Sequence, residues 1–440
     1  MTDTALLGRR LAALRAARGQ LPAPRPGPEA PTGRSVGASR AERLAAAVGG
    51  EWLSGPGGHV VRVEPETIAL PLERARLASL PGQPPADARL VCLDTETTGL
   101  GTAAGTLAFL VGIGWWEGDR FRQVQLVCPD HGNEAALLAA VEAAIPPDSW
   151  LVTYNGRGFD WPLLVTRYRL MRRPAPVHAG MLDLLPHVRR LFRHRLGDAR
   201  LATVERELLG VRRDGDVASA EIPERYLAFV HGGSAEPLAP VVTHNAEDVR
   251  SLGRLLVHLD RRYADPDRRR HAPAGDLVAL ARGYTRERRH HAALECLDEA
   301  DAGWRPPSPG SRAWPGLPPT PLVTVSRERI RAERARTLRR LGRPSDAATA
   351  WEALAVAGGP GAAHAWVEVA KVREHVLGDH AGALAATAAA ERAAERSRLL
   401  GIPCPTLEPA LAMRRRRLDG RLQRARDEAF PGDARTGRRW

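Results

Sequence analysis

Hydrophobic and polar positions along this chain change rhythm twice. From residue 88 the apolar runs ARLVCLDTE, LAFLVGIGWW and FRQVQLVC read as three strands, the last two joined by Glu117-Gly118-Asp119 as a tight hairpin turn. EAALLAAVEAAI then reads as a helix, with Asn133 placed to cap it and Pro146-Pro147 to stop it, before a further strand, SWLVTYN. A helix beginning near Thr243 and running through VRSLGRLLVHLDRRY closes the region, with Val249, Leu252, Leu256 and Leu259 on one face. Strand, strand, strand, helix, strand predicts an α/β domain over 88–263 with a mixed sheet flanked by helices, an order shared by several mixed-sheet folds.

On either side the rhythm differs. Residues 1–50 hold the Pro/Gly/Arg segment LPAPRPGPEAPTGRSVG and a short Ala/Arg helix, AERLAAAV, and read as a mostly disordered arm. Residues 51–87 form a lead-in with the short β-like pieces HVVRVE and ETIAL. After a linker at 264–275, residues 276–410 are Ala-rich and helical with an apparent repeat: 338–355 and 372–390 both place Leu-Gly before a charged turn, with Leu341 and Leu377 offset by 36 residues. Residues 277–300 read as a degenerate earlier copy. Helical hairpins at this spacing resemble tetratricopeptide repeats, whose period is about 34 residues. Residues 411–440 are a basic tail, with a final helix fraying at its end.

Composition narrows the partners. A formal charge of +13 favours an acidic one, although Lys371 is the only lysine and the arginines are dispersed outside Arg189-Arg190, Arg193, Arg195 and the run Arg414 to Arg417. Cys92, Cys128, Cys296 and Cys404 form no CxxC pair, which argues against a zinc ribbon or a disulfide framework and suits a reducing cytoplasm. No apolar run reaches the roughly 18 residues that span a bilayer, and the charged N-terminal stretch does not read as a secretory signal, so a cytoplasmic location without membrane contact is expected.

The chemistry gathers in three short segments. Strand alternation puts Asp94 and Glu96 on one face with Thr95 pointing away, and two anions so close call for a cation. Mg²⁺ suits them, since it takes one or two carboxylates and completes its shell with water and phosphate oxygens. TYNGRGFDWPLL ends the next strand with Asn155 and Asp160, the acid flanked by Phe159 and Trp161. HNAEDVRSL places His244 and Asp248 one helical turn apart on one face. Asp183 reads as an organiser of local structure, and Asn155 with its neighbouring glycines also fits a plain turn.

With LDTETTGL and LVGIG, TYNGRGFDWPLL and HNAEDVRSL, the chain resembles the DEDD 3'–5' exonucleases. Within them it is similar to the YprB-type ribonuclease-H-like proteins that carry a C-terminal tetratricopeptide region. The resemblance covers about 88–260. It implies an α/β ribonuclease-H-like domain followed by an all-α helical repeat domain. It also implies a two-metal-ion phosphodiesterase that removes nucleotides from the 3' end of single-stranded DNA or RNA. Asp94, Glu96, Asp160 and Asp248 would then ligate two Mg²⁺ or Mn²⁺ ions, and Thr97, Asn155 and Phe159 would contact substrate. These exonucleases place either a Tyr four residues before the last Asp or a His five before it; here His244 stands at the tyrosine spacing. His244 is the candidate general base, with helix capping or a hydrogen bond to a neighbour as its alternative role. A structure-specific endonuclease, or a nucleic-acid-binding scaffold whose repeats recruit a protein, are the competing functions.

Overall fold

A computed structural model of the chain describes residues 34–99, 105–213, 215–306 and 325–429. Its centre is an eight-stranded mixed sheet in the order β1-β2-β6-β5-β4-β7-β8, with β3 also paired to β6. The strands are β1 (Glu51–Gly55), β2 (Gly58–Val63), β3 (Ile68–Ala69), β4 (Arg89–Thr97), β5 (Ala108–Glu117), β6 (Arg120–Val127), β7 (Ser149–Thr153) and β8 (Gly180–Asp183). β4, β5 and β6 form the expected antiparallel meander, and β7 and β8 extend β4 in parallel. The lead-in is not separate from this domain: β2 pairs antiparallel with β6, so β1 and β2 widen the same sheet.

β4 explains itself by alternation. Val91 and Leu93 face one core, shared with Leu137 and Val141 of the helix Glu134–Ala144 and Leu163 and Leu164 of the helix Asp160–Leu170. Leu90 and Cys92 face the other, against Val249, Leu252 and Leu256 of the closing helix Ala239–Leu259. A strand covered on both faces reads as a continuous apolar run, as RLVCL does. Each such side chain taken fully from water contributes about 1.5–3 kcal/mol.

Three local expectations change. The closing helix starts at Ala239, because Pro240 is tolerated in a first turn and extends the helix upstream of Thr243. Asn133 does not cap its helix: its Oδ1 accepts from the His59 N–H at 2.7 Å, and its Nδ2 donates to Asp130. Asp160 opens a helix rather than ending a strand, since β7 stops at Thr153.

The helical region is welded to the sheet domain. Helices Ala274–Arg286 and His290–Gly303, Arg327–Arg340 and Pro344–Val356, and Ala362–His375 and His380–Leu399 form successive hairpins, followed by Leu407–Ala429. Gly342 and Gly378 end their helices with φ of 72° and 68°, the left-handed conformation that glycine adopts without a Cβ clash. Arg288 holds the corresponding turn of the first hairpin at φ 61°, which accounts for its degenerate sequence. Residues 264–275 are no loose linker. They include the helix Pro266–Arg269, whose buried Arg269 pairs with Glu299, and Ala272 lies in the core that Leu90 and Cys92 share with Leu277, Leu280 and Tyr284.

The N-terminal arm and the arginine clusters also pack against the rest of the chain. Residues 34–48 form a helix that buries Ala41, Leu44 and Ala45 in the sheet core, while 1–33 lie outside the described residues. The tail is helical to Ala429, and its arginines meet acids of the same chain: Arg414 and Arg417 converge on the buried Glu374, and Arg415 reaches Glu391. Arg195 likewise binds the buried Asp276, which also accepts from Tyr263. Among the described residues no helix is long and apolar enough to cross a membrane.

Candidate active site

β4 and the closing helix bring the first and third segments together. Asp94 and Glu96 leave the strand toward the helix, while Thr95 faces the opposite side. The helix approaches closely because β5 carries Gly112 and Gly114 beneath it: a Cβ on either glycine would stand 2.7 Å from a methyl of Val249. The fully buried Asn245 uses this closeness, donating from Nδ2 to Asp94 Oδ2 at 2.9 Å. One residue earlier, His244 aims Nε2 at Glu96 Oε1 (3.9 Å) and Asp248 Oδ2 (3.7 Å). One donor atom each from Glu96, His244 and Asp248 lies within 4.8 Å of the others, a spacing that a single cation could span.

Asp160 stands slightly apart. It accepts from the Thr95 hydroxyl, on the side of β4 opposite Asp94 and Glu96, yet its charge reaches both of them. Its own carboxyl is pushed up to about 6 by burial, against the pull of the Thr95 hydrogen bond. Asp94 and Glu96 are raised well above the usual carboxylate range, by burial first and then by the charges of Asp248 and Asp160. Acids held together at such cost are a charge cluster that a divalent cation would offset. The carboxylate donors therefore fit a hard divalent ion.

Two partners, Asp216 and Arg213, carry no motif of their own. Asp216 Oδ1 lies 2.7 Å from His244 Nδ1, which assigns the ring proton to Nδ1 and leaves Nε2 as the acceptor facing the acids. Burial alone would raise Asp216, but His244 and then Arg213 hold it below the usual range. Arg213 bridges the buried Glu205 and Asp248, its NH2 lying 2.5 Å from Asp248 Oδ1, and those acids keep it charged against its burial. His244 sits in the second turn of the helix, so the capping alternative for it falls away.

The remaining candidates lie at the same end of the sheet. Thr97 turns its hydroxyl to the Gly99 carbonyl at 2.7 Å, Asn155 occupies the left-handed region at φ 68°, and Phe159 is half-buried just before Asp160. Asp183 organises the turn as expected, accepting from the Asn155 N–H at 2.8 Å and the Leu185 N–H at 3.1 Å.

Comparison with known proteins agrees with this architecture. Residues 91–260 match a family model described as the RNase_H superfamily. A Bacillus subtilis (strain 168) protein, described as uncharacterized protein YprB, is 36% identical over 213 residues, which are 48% of this chain and 51% of that protein. The chain thus spans about half the length of that relative. The matched span runs from β4 to the end of the closing helix and holds all four acids, so residues 91–260 are similar to the RNase H superfamily and the chain resembles YprB over about half of its length.

Proposed function

We propose that this protein hydrolyses phosphodiester bonds of nucleic acid, removing nucleotides from the 3' end of a single strand. The observation that carries the reading is the convergence of Glu96, His244 and Asp248, with Asp94 beside them, at the carboxyl end of β4. Asp94, Glu96, Asp160 and Asp248 would hold two Mg²⁺ or Mn²⁺ ions. When bound, such ions supply Lewis-acid polarisation of the scissile phosphate and charge for the leaving oxygen.

The chain's own residues supply the proton chemistry. His244 Nε2 takes a proton from the attacking water as that oxygen bonds to phosphorus and the bond to the leaving 3'-oxygen breaks. Asp216 fixes the ring and offsets the charge His244 acquires. Arg213 keeps net negative charge near the phosphate in check. Thr97, Asn155 and Phe159 border the terminal nucleotide. The 3'–5' polarity is carried by the resemblance to the DEDD exonucleases.

The test is incubation of the purified protein with end-labelled single-stranded RNA and DNA, with and without Mg²⁺. A metal-dependent ladder shortening from the 3' end, abolished by Asp94→Asn with Glu96→Gln, is the expected result. Absence of any metal-dependent product, or equal activity in that double variant, overturns the reading.

A further inference from the structure

Past the acids, the closing helix runs into an open groove of about 370 Å³. Leu208 and Leu209 give it an apolar floor, and Arg254, Arg261, Arg262 and Arg268 line it, with no carboxylate among the lining residues. The lining differs in this from the surroundings of Arg195, Arg414 and Arg417, which face buried acids of the same chain. Within the groove, Arg254 reaches out to Glu247 at 2.9 Å, Arg268 lies 3.7 Å from Asp265, and Arg262 donates to the His271 carbonyl at 2.7 Å. Arg261 is exposed and has no ion-pair partner among the described residues.

Two links tie the groove to the candidate active site. Leu208 and Leu209 end the short helical turn Glu205–Leu209, whose first residue holds Arg213 against Asp248. Along the helix axis Arg254 stands about 9 Å beyond Asp248 and Arg261 about 20 Å, at roughly 1.5 Å per residue. That is the reach of a few nucleotides of an extended strand.

We propose that this groove binds the sugar-phosphate backbone of single-stranded nucleic acid internal to the end being processed. The assignment of the strand's direction rests on the nuclease reading; the binding itself does not. Phosphates meet the arginines, and bases cover the leucine floor, the combination that holds single strands without reading their sequence. A compact anion would satisfy the charge and leave the leucines uncovered.

Binding of a fluorescent oligo-dT or oligo-U of about 20 nucleotides is measured by anisotropy in EDTA across a salt series. The full chain is compared with Arg261→Gln, Arg262→Gln, Arg268→Gln combined, and with a control of equal charge loss, Arg339→Gln, Arg340→Gln, Arg392→Gln. Because single-strand binding loses about 0.7 of log–log salt slope per phosphate contact, the groove variant is expected to flatten the slope by about 2 and weaken binding at least about tenfold, with the control near wild type. Equal binding by groove variant and wild type, or an equal loss in the control, overturns the proposal. Displacement by poly-glutamate as efficient as by unlabelled oligonucleotide also overturns it, in favour of an acidic protein partner. A wild-type protein that binds through this groove yet makes no metal-dependent product removes the nuclease reading and leaves the groove assignment standing.

Discussion

At the scale of single residues, His244 and Asp216 behave as one unit if the proposed chemistry holds. His244→Ala is expected to lower kcat by about 10²–10⁴-fold, the usual worth of a positioned proton acceptor, with little change in thermal stability. Asp216→Asn, which retains a hydrogen bond but not the charge, is expected to lose about tenfold, in kcat rather than KM. Equal KM and kcat effects in single-turnover kinetics would assign Asp216 a merely structural part. The acids themselves make a prediction about stability. Asp94, Glu96 and Asp160 have carboxyls raised above the ordinary unfolded value near 4, so between that value and their raised ones the folded chain holds more protons than the unfolded chain. Stability of the metal-free protein from these groups therefore falls as pH rises through that window. Asp94→Asn removes one such group, and should raise the metal-free melting stability by on the order of 1 kcal/mol at pH 7.5 and by less at pH 5. Taking the difference between variant and wild type cancels His187 and His258, whose burial lowers them to about 4 and which pull the other way in acid. A variant less stable than wild type at pH 7.5 in EDTA contradicts the picture of acids in mutual repulsion.

At the scale of elements, the site depends on how closely a helix rides a strand. Gly112→Ala would set a methyl against Asn245 and, at 2.7 Å, against Val249, so the helix must rise or Asn245 must turn from Asp94. A loss of about 1–3 kcal/mol in denaturant unfolding, with activity falling further than stability, is the expected outcome. A variant with native stability and native rate would show that the approach is slack. This level also shows what the sequence made legible. The strand acids were readable because alternation is local, and the helix pair because i, i+4 is local as well. Asp216 was not, since it lies in the turn-like stretch RRDGDVASA and meets His244 only after 28 residues of chain have folded back. Asn245 was within the quoted motif, but its contact needs the two glycines of a different strand, and LVGIG carried that signal without saying what it was for. Asn133 misled because a cap position and a bond to a distant N–H are indistinguishable until β2 arrives.

At the scale of the whole molecule, the arginines include two distinct groups. One is internal: buried Glu374 gathers Arg414, Arg417 and Arg421 and pins the last helix to the array. Glu374→Ala leaves those charges facing each other, and is expected to cost about 3 kcal/mol, the low end for a broken buried pair because Arg417 and Arg421 stay partly in water. Limited proteolysis should then cut within 407–429 faster than elsewhere; unchanged cleavage there would mean the helix is held by other contacts. The other population lines the groove, and the run Arg414 to Arg417, the most conspicuous in sequence, belongs to the first. Charge clusters in a sequence name neither population, because pairing is decided by distant acids.

The shared core of Leu90, Cys92, Leu277, Leu280 and Tyr284 gives the helical region a bearing as well as a place. A helical array joined by a flexible tether would search a wide volume around the acids. One whose first hairpin shares its apolar interior with the sheet points in a single direction. Anything the outer hairpins hold is therefore presented to the acids at a fixed distance and angle, like a workpiece in a jig, and cutting the chain at 275 would leave the sheet domain with an open apolar flank rather than a smaller stable unit.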